Sequence, residues 1–146
     1  MHFKNKVYCF TVGLFLFYQQ LAFTQESKLA DSLKIIYQKE NIQGVEKLEL
    51  LRSLSFNTSN NLSESLKYAN ELIYLALKDS NYLYTYRGYS QKGQAHRLAG
   101  DLPLALEAFI KSSDAAQKLE DKVHLGGAYL TIADVYSEIG NPENAE

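Results

Sequence analysis

The sequence predicts an all-α fold: a solenoid of antiparallel helix pairs with a 40-residue period, preceded by a signal peptide. Three observations carry this expectation. From residue 26 onward, apolar residues recur at three- and four-residue spacing between short polar breaks, as amphipathic helices require. Shifting the chain against itself by 40 residues places Tyr89 on Tyr129, Gly93 on Ala133, His96 on Tyr136, Gly100 on Gly140 and Asp101 on Asn141. The opening residues show the charge, apolar run and small-residue pair of an export leader.

That leader spans residues 1–24. Lys4 and Lys6 precede an apolar stretch from Val7 to Tyr18, and Ala22 and Thr24 stand at the −3 and −1 positions of a cleavage site before Gln25. The alternative is an uncleaved anchor, but the strongly apolar part is shorter than the roughly 20 residues a spanning helix needs. Positive residues on its N-terminal side keep that end cytoplasmic, so the remainder is exported. The single cysteine, Cys9, falls inside the leader, which excludes disulfides and thiolate metal sites from the rest. From Gln25 on there are 13 basic and 17 acidic side chains, net −4. No basic run follows a phosphate backbone, so nucleic-acid binding is not expected. An acidic, cysteine-free exported domain suits a bacterial periplasm or cell envelope.

The elements follow in order. Residues 25–44 form an entry helix with Leu29, Leu33, Ile36 and Tyr37 on one face, closed by the break NIQG. A first unit, 45–80, has one helix carrying Val45, Leu48, Leu51 and Leu54 and a second carrying Leu66, Ala69, Ile73, Ala76 and Leu77, with NTSNN as the turn. A second unit, 81–120, opens on four tyrosines in eight residues, Tyr82, Tyr84, Tyr86 and Tyr89. Their alternation reads as a strand, but the 40-residue shift lays them over a plainly helical stretch. In a helix Tyr82, Tyr86, Tyr89, Gly93 and His96 share a packing stripe and Tyr84 points away. Gly100 suits a left-handed helix end and Asp101 an N-cap, with Pro103 in the first turn, where a missing amide costs nothing. A third unit, 121–146, repeats the device with Gly140, Asn141 as N-cap and Pro142 at the first helical position. Gly126 and Gly127 read as a close-contact point within its first helix.

The spacing of Tyr89, Gly93, His96, Gly100-Asp101, Ala105 and Phe109 resembles a tetratricopeptide repeat, as does that of Tyr129, Ile132-Ala133, Tyr136, Gly140-Asn141 and Ala145. In that resemblance Gly93 or Ala133 admits the paired helix, Ala105 or Ala145 is its small counterpart, and the aromatics fill the space around them. The period is 40 rather than the usual 34, which implies longer helices, and the first unit is degenerate, with Leu54 and Phe56 a residue out of register. The third unit is truncated about one turn into its second helix. Tyr129, Ile132, Ala133 and Tyr136 then lack the helix that buries them, so a longer protein is expected. The arrangement resembles the N-terminal region of bacterial envelope signalling proteins. There, such repeats precede a membrane span and an adenylate/guanylate cyclase, a sensor histidine kinase or a DNA-binding domain.

The resemblance implies a non-catalytic protein-interaction or sensory region whose partner is a protein, a peptide or a second copy, with membrane attachment through a downstream span. A stand-alone envelope scaffold is the other reading. No cofactor is expected, and no catalytic or metal-binding set can be assembled: His96 and His124 lack companion ligands, and His96 occupies a packing slot. The inner face of such an array is its usual binding surface. Arg87, Ser90, Gln94 and Arg97 fall on it in the second unit, and Leu130, Asp134 and Ser137, following Gly127, in the third. Arg87 and Arg97 offer paired donors to a peptide carboxylate; the plainer reading is a solvated face with two ordinary surface arginines. The lysine–asparagine clamp of chaperone-tail-binding repeats does not carry over, because Ser90, Gln94 and Gly127 stand in its place.

Overall fold

The computed structural model describes residues 28–39 and 41–140, all helical apart from short turns. We number the helices α1 (28–39), α2 (Gly44–Asn57), α3 (Leu62–Lys78), α4 (Tyr82–Leu98), α5 (Leu102–Leu119) and α6 (Lys122–Gly140). Neighbours in sequence pack as neighbours in space from α2 to α6, and α2 also touches α4. The leader and Asn141–Glu146 lie outside the described residues, and with them the Asn141 cap and Pro142.

Each reversal from α2 through α6 rests on a polar cap, whereas Gln43 before α2 makes no such side-chain bond. Asn61, Asn81 and Asp101 accept hydrogen bonds from the backbone amides of Glu64, Tyr84 and Leu104, three residues on. Asp121 does the same for Val123 and His124. These side chains satisfy amides that the first helical turn leaves without partners. Gly100 has φ +77°, as its place at a helix end requires. Ser80 and Glu120 take the same left-handed conformation without being glycine, at φ 52° and 57°.

Two clusters hold the helices together. Leu48, Leu51, Leu54, Tyr68, Leu72, Ala76 and Tyr84 bury themselves between α2, α3 and α4, with Leu33, Ile36 and Tyr37 of α1 packed against them. Ala105, Phe109 and Val135 join α5 to α6. Between α2 and α3 sits a reciprocal serine clamp. The Ser55 hydroxyl donates to the Ser65 carbonyl at 3.0 Å, and the Ser65 hydroxyl to the Ser55 carbonyl at 2.9 Å, both side chains essentially without solvent contact. Tyr37 fixes α1: its ring stands edge-on to Tyr68 at 5.4 Å, and its hydroxyl donates to Glu71 at 2.7 Å.

Helix α4 is sandwiched, and two glycines make that geometry workable. A Cβ on Gly88 would lie 2.7 Å from the Ile73 side chain on α3, and one on Gly93 would lie 2.6 Å from the Phe109 ring on α5. Phe109 rather than Ala105 is therefore what Gly93 admits; Ala105 is buried in the cluster with Val135. Tyr84 corrects the expected stripe. It is 7% exposed and faces α2 and α3, while Tyr82, placed on the packing stripe, is 39% exposed. Gly126 and Gly127 also differ from expectation, since a Cβ at either would meet nothing within 4 Å. Smaller departures are Val45, Leu29 and Leu77, which lie half-exposed where the stripes placed them inward.

Candidate functional site

Helices α2 and α4 present a polar pocket of about 390 Å³, lined by Glu49, Arg52, Tyr86, Arg87, Ser90 and Gln91. Its chemistry centres on Glu49. Arg52, one turn further along α2, donates through Nε to Glu49 Oε1 at 2.8 Å. Arg87 reaches across from α4 to Glu49 Oε2 at 3.4 Å, and the Tyr84 hydroxyl donates to the same oxygen at 3.1 Å. The Arg87 guanidinium also lies 5.0 Å from the Tyr84 ring centroid, an attractive cation–π placement. The Arg52 hydrogen bond, with help from Tyr84 and Arg87, lowers the Glu49 carboxyl below its ordinary value. Burial, and then the charged Glu49, raise the Tyr84 phenol.

Two guanidiniums thus converge on one carboxylate. A guanidinium carries five donors and no acceptor, and the long Arg87 contact commits only one of its own to Glu49. Of the charged residues that line the pocket two are positive and one is negative, so one positive charge and several guanidinium donors are left over beside Glu49.

The structure distributes the other expected groove residues. Arg97 pairs with Glu138 of α6 rather than standing free, and that carboxylate raises the guanidinium pKa. The Ser90 hydroxyl borders the pocket but is engaged with Ser112 of α5 at 2.7 Å. Gln94 is exposed on α4. Leu130, Asp134 and Ser137 are exposed on α6, with Leu130 at 70%. Arg87 and Arg97 therefore do not form one site: each bridges to a different neighbouring helix.

The packing residues divide too. Tyr89 and His96, with Tyr82, floor a trench between α3 and α5, where cavities of about 340 and 210 Å³ share Tyr89 and Lys111. Gly93, Ala105 and Phe109 are interior. Tyr129, Ala133 and Tyr136 are exposed, the two tyrosines by 56% and 57%. Tyr86 meets the ring of His124 edge-on at 4.9 Å, and His124 Nδ1 lies 2.7 Å from Asp121, so this histidine is spent on the α4–α6 seam.

Glu49, Arg52 and Glu138 escaped the sequence reading. The i, i+3 spacing of Glu49 and Arg52 was a visible signal of an ion pair; their meeting with Arg87 depends on how α2 crosses α4. Among the described residues no three His, Cys, Asp or Glu side chains gather as metal ligands would, and no helix is long and apolar enough to cross a membrane. Comparison with protein-family models, curated proteins and solved structures finds no match.

Proposed function

We propose that this chain is a non-catalytic peptide-binding module of the tetratricopeptide type, whose pocket between α2 and α4 receives a carboxylate of a partner protein. The observation that carries the proposal is the convergence of Arg52 and Arg87 on the single carboxylate of Glu49. The long-period repeat reading draws support from local geometry. Caps at Asn61 and Asp101 recur 40 residues apart, as do those at Asn81 and Asp121 and the left-handed residues Ser80 and Glu120. Buried residues recur at the same interval at the seams, Gly88 with Ala128 and Ala95 with Val135. The leader-like composition of residues 1–24 supports export to the envelope, with the module as the sensory part of an anchored signalling protein.

Anisotropy of a short fluorescein-labelled glutamate-rich peptide tests the proposal. Charge-assisted hydrogen bonds contribute about 1.5–3 kcal/mol each, so Arg87→Ala weakens binding roughly tenfold or more. Tyr74→Ala, on the exposed side of α3, leaves it unchanged. Equal affinity for a lysine-rich peptide, or an unaltered Arg87→Ala affinity, would refute it.

A further inference from the structure

Guanidiniums that converge from two helices are a common way to hold a phosphate, whose oxygens take several charge-assisted hydrogen bonds at once. The pocket between α2 and α4 departs from that pattern by one residue. Glu49 stands between the two cations, its Oε1 at 2.8 Å from Arg52 Nε and its Oε2 at 3.4 Å from Arg87 Nη1. It is not a loose surface carboxylate. The Tyr84 hydroxyl donates to Oε2 at 3.1 Å, and Tyr84 is itself buried, so Glu49 is tethered from α4 as well as along its own helix. The Arg52 hydrogen bond, foremost among its contacts, holds the Glu49 carboxyl below its ordinary value. Glu49 therefore carries its charge wherever an ordinary carboxylate on a partner carries one.

We infer that Glu49 sets the specificity of the pocket, admitting a single carboxylate and turning away a phosphate. The assignment rests on the reading of this pocket as a carboxylate site and adds what keeps other anions out. Arg87 gives Glu49 one long contact and keeps its remaining donors for a ligand. A ligand oxygen that takes those donors lies close to Glu49 Oε2, because one guanidinium serves both. Charge then decides between ligands. The lining holds two cations and one anion, an excess that one carboxylate neutralises. A phosphoserine brings about −1.5 to −2 charges, which leaves the pocket negative with like charges side by side. Discrimination of this kind comes from repelling the wrong ligand rather than from extra attraction for the right one. Its size is moderate. The Glu49 and Arg87 side chains are 41% and 34% exposed, so solvent screens the repulsion, and a factor of about five is the upper range for such groups.

Anisotropy of the full chain with two fluorescein-labelled peptides tests the assignment. The peptides are otherwise neutral and identical, except that one carries a central glutamate and the other a phosphoserine. The wild type binds the glutamate peptide at least as tightly as the phosphoserine peptide. Glu49→Gln removes the charge but keeps an acceptor for Tyr84, and it shifts the ratio of the two affinities about fivefold toward phosphoserine. A ratio does not depend on how much of a variant is folded, so it separates specificity from stability. Glu46→Gln, exposed one turn earlier on α2, removes the same charge outside the pocket and leaves the ratio as it was. A wild type that prefers the phosphoserine peptide would overturn the assignment, as would a ratio that Glu49→Gln leaves unmoved or that Glu46→Gln moves equally. If Arg87→Ala still weakens the glutamate peptide in those cases, the carboxylate reading stands and only the role of Glu49 falls. If Arg87→Ala changes nothing, or neither peptide binds, both fall.

Discussion

Gly93→Ala sets two effects of similar size against each other, and the structure decides between them. Alanine favours a helix interior over glycine by about 0.8–1.0 kcal/mol. At Gly93, however, the new Cβ would lie 2.6, 2.7 and 2.9 Å from three atoms of the Phe109 ring. Phe109 is 4% exposed, with Ala105 and Val135 around it, so the ring has nowhere to retreat. Overpacking of this kind costs about 1–3 kcal/mol, leaving a net loss of about 1 kcal/mol. With a urea slope of about 1–2 kcal/mol/M for a chain of this size, the unfolding midpoint falls by roughly 0.5–1 M, read by circular dichroism. Two companions isolate the cause. Gly126→Ala, where the Cβ meets nothing, gains the helix preference alone and raises stability by about 0.8 kcal/mol. Phe109→Leu in the Gly93→Ala background removes the clashing ring edge, so the double variant is less destabilised than the two single losses together. A Gly93→Ala protein as stable as the wild type, or a Gly126→Ala protein less stable, would refute this account of how α4 and α5 meet.

Ser55→Ala breaks one half of the buried serine clamp between α2 and α3 and lowers stability by about 1 kcal/mol in the same urea assay. Adding Ser65→Ala costs less than its own single effect, because the two hydroxyls act on one seam. On the alkaline side, the Glu71 hydrogen bond to Tyr37, with burial second, pushes that phenol up to about 12 from its usual value near 10. A raised folded-state value means that stability is complete below pH ~10 and declines as pH rises toward 12. Tyr37→Phe lowers stability at neutral pH but flattens the decline between those limits, measured by thermal unfolding across the range. An unchanged alkaline slope would show that Tyr37 is not held by Glu71.

The sequence by itself determined the helices and their punctuation. Three-and-four periodicity is a property of each segment alone, and Gly100 and Asp101 act on backbone dihedrals and amides within a few residues. The resemblance to a tetratricopeptide repeat marked Gly93 as a point of close approach, which the Phe109 ring fills, whereas Gly126 and Gly127, also read as a contact point, meet open space. What the sequence could not determine was which helix presses on which side of α4. Tyr82 and Tyr84 carry the same ring two residues apart; α2 and α3 bury one, and the open trench beside α5 leaves the other half-wet. Arg87 and Arg97 shared an apparent groove until the packing brought Glu49 to one and Glu138 to the other. Those meetings join residues 38 and 41 positions apart. Local patterns hold no record of such separations, because the crossing of two helices is set by the side chains that fill the seam between them, here Gly88 against Ile73 and Gly93 against Phe109.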